Sequence, residues 1–313
     1  MIYSNLVITG SLAKDTIFLY DGLFGDSLLP EHLNHLSVSF QSQEIVKSLG
    51  GPLLNIAYSA QFFCKDNVKL LGYVGKDGQD ILDFIKALNL DITGIKVNQQ
   101  LYTATGSCIT DKQNNQIWGF CDGAGQCIKD IDISKYCKFD SLFLIAPTNK
   151  LSVVAMVNQA IDLRIDYIYD VGMHIPVLEP RDLQIGIDSC KYLIVNEYEI
   201  EQIKSKIDFD EKAFVMSGRI LIITLGSKGV RYLAQSQDIF VPAYTTNCID
   251  PVGAGDAWRG AFFGELISGK ELIDCLIMGN VIASMAVESS GGVNYSIDIT
   301  KVQNRFDSLR KKV

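Results

Sequence analysis

The sequence predicts an α/β protein with a mainly parallel sheet, helices on both of its faces, and a small β excursion over one end. Three observations carry this. Short apolar runs of strand length recur along the chain with helix-period segments between them. Residues 16–44 and 96–125 lose that rhythm and are β-leaning and aromatic, with turn residues. A glycine-rich turn, Asp250-Pro251-Val252-Gly253-Ala254-Gly255-Asp256, ends on a carboxylate at the head of a helix-period segment.

In chain order, the first strand is expected at residues 6–9, closed by Gly10. Gly50-Gly51-Pro52 then opens a helix over residues 53–63, with the proline suited to its first turn. A strand at 68–73 and a helix at 81–88 follow. Residues 104–110 and 115–120 read as a strand pair joined by a turn at 111–114. Strands at 141–145, 165–169, 192–195 and 221–224 alternate with helices at 151–163 and 197–205. These strands are apolar on both faces, as in a sheet covered on both sides. The last helix follows Gly253, with apolar residues at Ala257, Trp258, Ala261, Phe262, Leu266 and Ile267 near a 3.6-residue period and Gly269 as its stop.

Composition removes several function classes. The chain has 313 residues, 48% hydrophobic and 20% charged, which suits a globular protein. No apolar run approaches the ~18 residues of a membrane span. The N-terminus lacks a basic region and its apolar stretch is short for a signal peptide, so a cytoplasmic location is expected. A net charge of −8 without a basic block argues against nucleic acid as a partner. The eight cysteines form no C-x-x-C pair and are expected to be reduced. His32 and His35 lack a companion acid or thiol, so no metal site is expected there.

Several residues point to anion chemistry. The unpaired N–H groups of the helix that follows Gly253, and its dipole, attract an anion; Gly253 and Gly255 permit close approach. Asp256 would repel a phosphate, and fits instead the task of taking a proton from an attacking hydroxyl. The same segment also reads as a loop–helix junction with an acidic first turn. Asp15, after the first strand, could accept two hydrogen bonds from a vicinal diol, or serve simply as a turn residue. Gly50 and Gly51 allow close approach or a hinge, and Asn55 lies one turn into the helix. Asn196 and Glu199 share a helical first turn, where they could cap the helix or organise waters around Mg²⁺. Thr224, Gly226 and Gly229 read as a strand end and tight turn into another strand, able to line a nucleotide site. No Walker A loop is present, and Trp258 stands where a dinucleotide fingerprint needs its third glycine.

In this order and spacing the segments resemble the ribokinase-like (PfkB) family of sugar and nucleoside kinases. The resemblance rests on Gly10 to Asp15, Gly50-Gly51 with Asn55, Gly72 to Gly78, Asn196 with Glu199, Thr224-Gly226-Gly229, and the full Asp250 to Asp256 signature. It implies a three-layer α/β/α core formed by residues 1–13, 46–95 and 126–313, holding the ATP site. Residues 14–45 and 96–125 would be a β lid over the substrate. Asp256 would be the catalytic base, with the amides of Gly253, Ala254 and Gly255 as anion hole. Asp15, Gly50, Gly51 and Asn55 would hold the acceptor, and Asn196, Thr224, Gly226 and Gly229 the ATP. Glu199 would support Mg²⁺ through water, and Asp250 with the segment near Gly291-Gly292 a K⁺ ion in part of the family.

Adenosine-kinase-like members match most closely, through Gly10 to Ile17, Val38-Ser39-Phe40, Asn55 to Tyr58, Asn114 to Ile117 and Asp250-Pro251. Cys121 to Gly125 and Pro52 depart from that pattern. The aromatics Phe18, Phe40, Trp118 and Phe120 in the lid segments suit stacking on a base, or packing of the lid itself. The expected reaction is transfer of the ATP γ-phosphate to the 5′-hydroxyl of an adenosine-like nucleoside. A free-sugar kinase and a non-catalytic nucleoside- or nucleotide-binding protein are the alternatives. Monomer and homodimer are both compatible with the sequence.

Overall fold

The computed structural model describes residues 3–28, 37–113 and 115–313. His32, His35 and Asn114 lie outside the described residues. The chain runs β1 (Asn5–Thr9), β2 (Ala13–Tyr20), α1 (Phe24–Ser27), β3 (Ser42–Gly50), α2 (Pro52–Cys64), β4 (Val68–Gly75), α3 (Gln79–Ala87), β5 (Ile95–Asn98), β6 (Ala104–Thr110) and β7 (Gln116–Cys121). It continues with β8 (Ser141–Ile145), α4 (Lys150–Asp162), β9 (Tyr167–Asp170), α5 (Pro180–Ser189), β10 (Tyr192–Asn196), α6 (Glu197–Lys206), α7 (Glu211–Met216) and β11 (Ile220–Thr224). It ends with β12 (Gly229–Ala234), β13 (Gln237–Pro242), α8 (Ala254–Ile267), α9 (Leu272–Ala286) and α10 (Ile299–Arg310).

Nine strands form one sheet in the order β13-β12-β11-β10-β9-β8-β1-β4-β5. From β11 to β5 every neighbour is parallel; β12 and β13 add an antiparallel hairpin at one edge. Alternate side chains feed two cores. Leu6, Ile8, Leu142, Leu144, Ile168 and Ile194 pack toward α2, α8 and α9. Val7, Phe143, Ile145, Tyr167, Leu193 and Val195 pack toward α4, α5 and α6. The strand expected at 165–169 starts later, because Arg164 turns the chain in a left-handed conformation (φ 55°) and Ile165 completes that turn. Among the described residues no helix is long and apolar enough to cross a membrane. All eight cysteines are described and none is paired.

The second sheet has the order β3-β2-β6-β7. Its register sets Asp15 between Ser48 and Gly106, with Phe120 opposite Gly106, so these residues share one face. Trp118 lies on that face two residues along. Phe18 stands on the other face, between Ile45 and Ile109. Phe40 packs its ring 5.0 Å from Tyr20 and 5.1 Å from Phe24, so this aromatic belongs to the small sheet's own core.

Helix α8 departs from the amphipathic pattern. It is buried nearly all round, from Ala257 through Gly264 and again at Ile267. It crosses α2 at Gly260, where a Cβ would lie 2.0 Å from Ser59 Oγ and 2.2 Å from the carbonyl oxygen of Ile56. Such a contact involves backbone and cannot be relieved by a rotamer change. Gly260→Ala is therefore expected to cost about 3 kcal/mol. A melting temperature within a degree of wild type by calorimetry would show that the crossing opens without cost.

Candidate active site

A cavity of about 710 Å³ opens at the carboxyl ends of β9, β10 and β11, beside the start of α8. This is where the crevice of an open parallel sheet lies. Of the residues selected from sequence, Asn196, Glu199, Thr224, Gly226, Gly229, Ala254, Gly255 and Asp256 line it. Asn196 and Glu199 form a full capping box: Asn196 Oδ1 accepts the Glu199 N–H, and Glu199 Oε2 accepts the Asn196 N–H, both at 2.8 Å. Capping and cavity lining thus coexist, and Glu199 Oε1 keeps no partner among the described residues. Burial pushes the Glu199 carboxyl upward.

The loop before α8 is built to present amides. Gly253, the N-cap, has φ 77°, and a Cβ there would lie 2.6 Å from Gly292 Cα. The Ala257 N–H closes the first helical bond onto the Gly253 carbonyl at 2.8 Å. The Gly253 and Gly255 amides have no partner among the described residues, while the Ala254 N–H makes a long bond of 3.3 Å to the Pro251 carbonyl. Asp250 braces this loop against a second one. It accepts the Val252 N–H at 2.9 Å, the Gly291 N–H at 3.0 Å and the Ser290 hydroxyl at 3.3 Å.

Asp256 sits in the first turn of α8. Asn55 Nδ2 donates to its Oδ2 at 2.9 Å. Burial pushes the carboxyl up to about 6, against the opposing pull of Arg259 and of the Asn55 hydrogen bond. Arg259, one turn further on, grips Asp170 at the end of β9, with Nη2 2.7 Å from Oδ1 and Nε 2.6 Å from Oδ2. Both residues are buried. Neither was selected from sequence, although a guanidinium in the apolar stretch from Ala257 to Gly264 demands a buried partner.

The remaining candidates adjoin the cavity rather than line it. Asp15 is not at the end of β1; it is the third residue of β2, because the chain turns directly into the small sheet. A Cβ on Gly50 would lie 3.3 Å from Asp15 Oδ2 and 3.9 Å from Asn55 Oδ1. Gly51 has φ 90°, and a Cβ there would meet the Ser11 carbonyl at 2.4 Å. Asn55 Oδ1 is buried without a partner. Burial raises the Asp15 carboxyl as well. Asp15, Gly50, Asn55 and Asp256 thus form a continuous polar path from the small sheet to the anion-attracting helix end. Phe120 stands clear of the cavity, 59% exposed, and Trp118 is 48% exposed beside it. A Cβ on Gly106 would lie 2.4 Å from Asp15 Oδ1 and 3.0 Å from the Trp118 ring, so carboxylate and indole close in over Gly106 on the same face of the small sheet.

The chain is similar to known nucleoside kinases over most of its length. The nucleoside kinase of Methanocaldococcus jannaschii is 27% identical over 300 residues, covering 93% of this chain and 94% of that protein. The crystal structure of M. jannaschii nucleoside kinase, described as an archaeal member of the ribokinase family, superposes with a TM-score of 0.85 at 25% identity, covering 97% of this chain and 98% of that one. Burkholderia thailandensis nucleoside kinase in complex with ADP-inosine gives a TM-score of 0.81 at 26% identity, covering 97% of this chain and 95% of that one. The model of the pfkB family carbohydrate kinases matches residues 6–299. The chain belongs to the pfkB carbohydrate kinase family, phosphotransferases that act on a hydroxyl acceptor.

Proposed function

We propose that this protein transfers the γ-phosphate of ATP to the 5′-hydroxyl of a purine-type nucleoside. The observation that carries the acceptor is the face of the small sheet that Asp15, Trp118 and Phe120 share. Asp15 offers two acceptor oxygens for a ribose diol there, and Trp118 and Phe120 stand uncovered beside it, offering faces to a base. A free sugar would use the carboxylate and leave the rings idle. The inosine ligand of the B. thailandensis relative supports the same choice.

In this reading ATP occupies the cavity, with Asn196, Thr224, Gly226 and Gly229 along its length. The γ-phosphate meets the free amides of Gly253 and Gly255 and the positive end of α8, with Ala254 between them. Asn55 and Asp15 hold the acceptor, and the unpartnered Asn55 Oδ1 receives one of its hydroxyls. Asp256 takes the proton as the hydroxyl oxygen attacks in line. The small sheet, formed by Ala13–Tyr20, Ser42–Gly50, Ala104–Thr110 and Gln116–Cys121, so that the expected boundary at 45/46 falls inside β3, acts as a lid that keeps water from competing, and the Gly50-Gly51 junction is its hinge. Glu199 Oε1 suits a water of hydrated Mg²⁺, which when bound would neutralise charge on the phosphates. Asp250, braced between its two loops, keeps lone pairs with which to support a K⁺ ion.

Release of ADP from Mg-ATP, measured against a panel of nucleosides and sugars, tests the acceptor. Turnover with purine nucleosides is expected. Turnover with ribose or a hexose alone would replace the reading by a sugar kinase, and thermal stabilisation by nucleosides without turnover by a binding protein. Asp256→Asn should lower kcat by about 10²–10⁴-fold while ATP still binds. Because the ionised carboxylate is the active form and its pKa is raised to about 6, kcat/KM should fall as pH drops through that value. A profile flat down to pH 5 would remove Asp256 from the role. Replacing Trp118 and Phe120 by Ala should raise KM for a nucleoside by roughly 5- to 150-fold, from a stacking contribution of about 1–3 kcal/mol per base. Unchanged KM in both variants would show that the base lies elsewhere.

A further inference from the structure

The cavity has an unusual charge balance for a site that takes a polyphosphate. Asp170, Glu199 and Asp256 line it, and Arg259 is the one cationic side chain among the described residues that do. That guanidinium is already engaged by Asp170, in a buried pair with contacts of 2.6 and 2.7 Å. It also lies under the loop, since a Cβ on Gly255 would come within 2.7 Å of its Nη1. Arg259 therefore touches the backbone of the turn that carries Asp256, while its partner is fixed at the end of β9.

We infer that the Arg259–Asp170 pair positions the first turn of α8 against β9 and sets the ionisation of Asp256, making both residues positioning residues for the reaction. This rests on the reading of Asp256 as base. The groups facing Asp256 are few. Asn55 reaches it from α2, and Tyr295 from the segment before α10. Arg259 follows it on α8, and Asp170 faces it from β9. Glu199 on α6 faces Arg259 in turn. Arg259 favours the carboxylate form of Asp256, and Asp170 opposes it. Arg259 itself stays protonated, since its buried carboxylate neighbours outweigh desolvation. The two members of the pair thus act on Asp256 with opposite signs, so removing each in turn should move its midpoint in opposite directions.

The test uses full-length protein labelled with [γ-¹³C]aspartate. The Asp256 resonance is assigned by its loss in Asp256→Asn, and its titration is followed by NMR. Arg259→Met should move the midpoint up by roughly one unit or more, and Asp170→Asn should move it down by a comparable amount. Arg259→Lys keeps the charge and should fall between wild type and Arg259→Met. The acid limb of kcat/KM should shift in step. Midpoints that stay fixed, or that move the same way in both variants, overturn the inference even where kcat collapses. Should Arg259→Met fail to fold, the isosteric Asp170→Asn decides alone, since only a downward shift supports the pair's role. The titration does not depend on turnover. Normal activity in Asp256→Asn would thus remove the base reading separately.

Discussion

Helix α8 is buried from Ala257 onward and half-buried in its first turn, and the active-site arrangement depends on that constraint. The helix is pressed between α2 and α9 beneath the large sheet, at a distance from α2 that Gly260 allows. A helix exposed on one side would let solvent screen its first turn and its carboxylate. Partial burial instead limits that screening, so an anion there depends in part on fixed protein groups. It also makes an ionised Asp256 costly unless a charge or hydrogen bond favours it. The Asn55 hydrogen bond and the Arg259 guanidinium meet that demand from two directions. Stability and chemistry are therefore coupled at this helix: the packing that orders it also creates the electrostatic problem that its neighbours solve.

The proposed acceptor side follows from topology. The chain leaves β1 and enters the small sheet within three residues, so Asp15 rides on that sheet while Asp256 is fixed in the core. Gly50 and Gly51 close the loop between them, at the end of β3 and the cap of α2. An acceptor held by both carboxylates would bridge the two sheets and feel any change in their spacing. That is a physical reason for a proposed lid to carry a ligand of the sugar instead of serving only as a cover. Closure and correct placement of the hydroxyl then become one event.

Most of the parallel core was legible because its strands are short, apolar and bounded by helices of clear period. What escaped has identifiable causes. Helix α9 is buried at ten of its positions, from Cys275 to Ala286, so no polar face marks its period. Helix α10 fails for the opposite reason, with only Arg305 and Leu309 buried. The hairpin of β12 and β13 was announced only by the turn at Thr224 to Gly229. At the site, Asn196, Glu199, Gly226, Gly229 and Gly253 were legible as motifs because backbone geometry demands glycine or capping side chains there. Asp15 was legible as a residue after the first strand and within the expected lid segment, but not as part of a strand of its own, since sequence does not say where the chain turns into the second sheet. The small sheet's aromatics could be sorted only once the register was known. Phe40 joins Tyr20 and Phe24, Phe18 faces away, and Trp118 and Phe120 share the face of Asp15.

Gly255 shows how one residue can answer to two constraints. Read from sequence, its missing side chain lets a phosphate approach the helix end. In the structure the same small residue makes room on the protein side, where Arg259 Nη1 would meet a Cβ at 2.7 Å. Any larger residue would have to displace the guanidinium, weaken its grip on Asp170 and alter the charge seen by Asp256. The glycine is thus required from below as well as from above. The motif proposed as the anion hole and the buried pair proposed to set the base are one construction, joined at a single Cα.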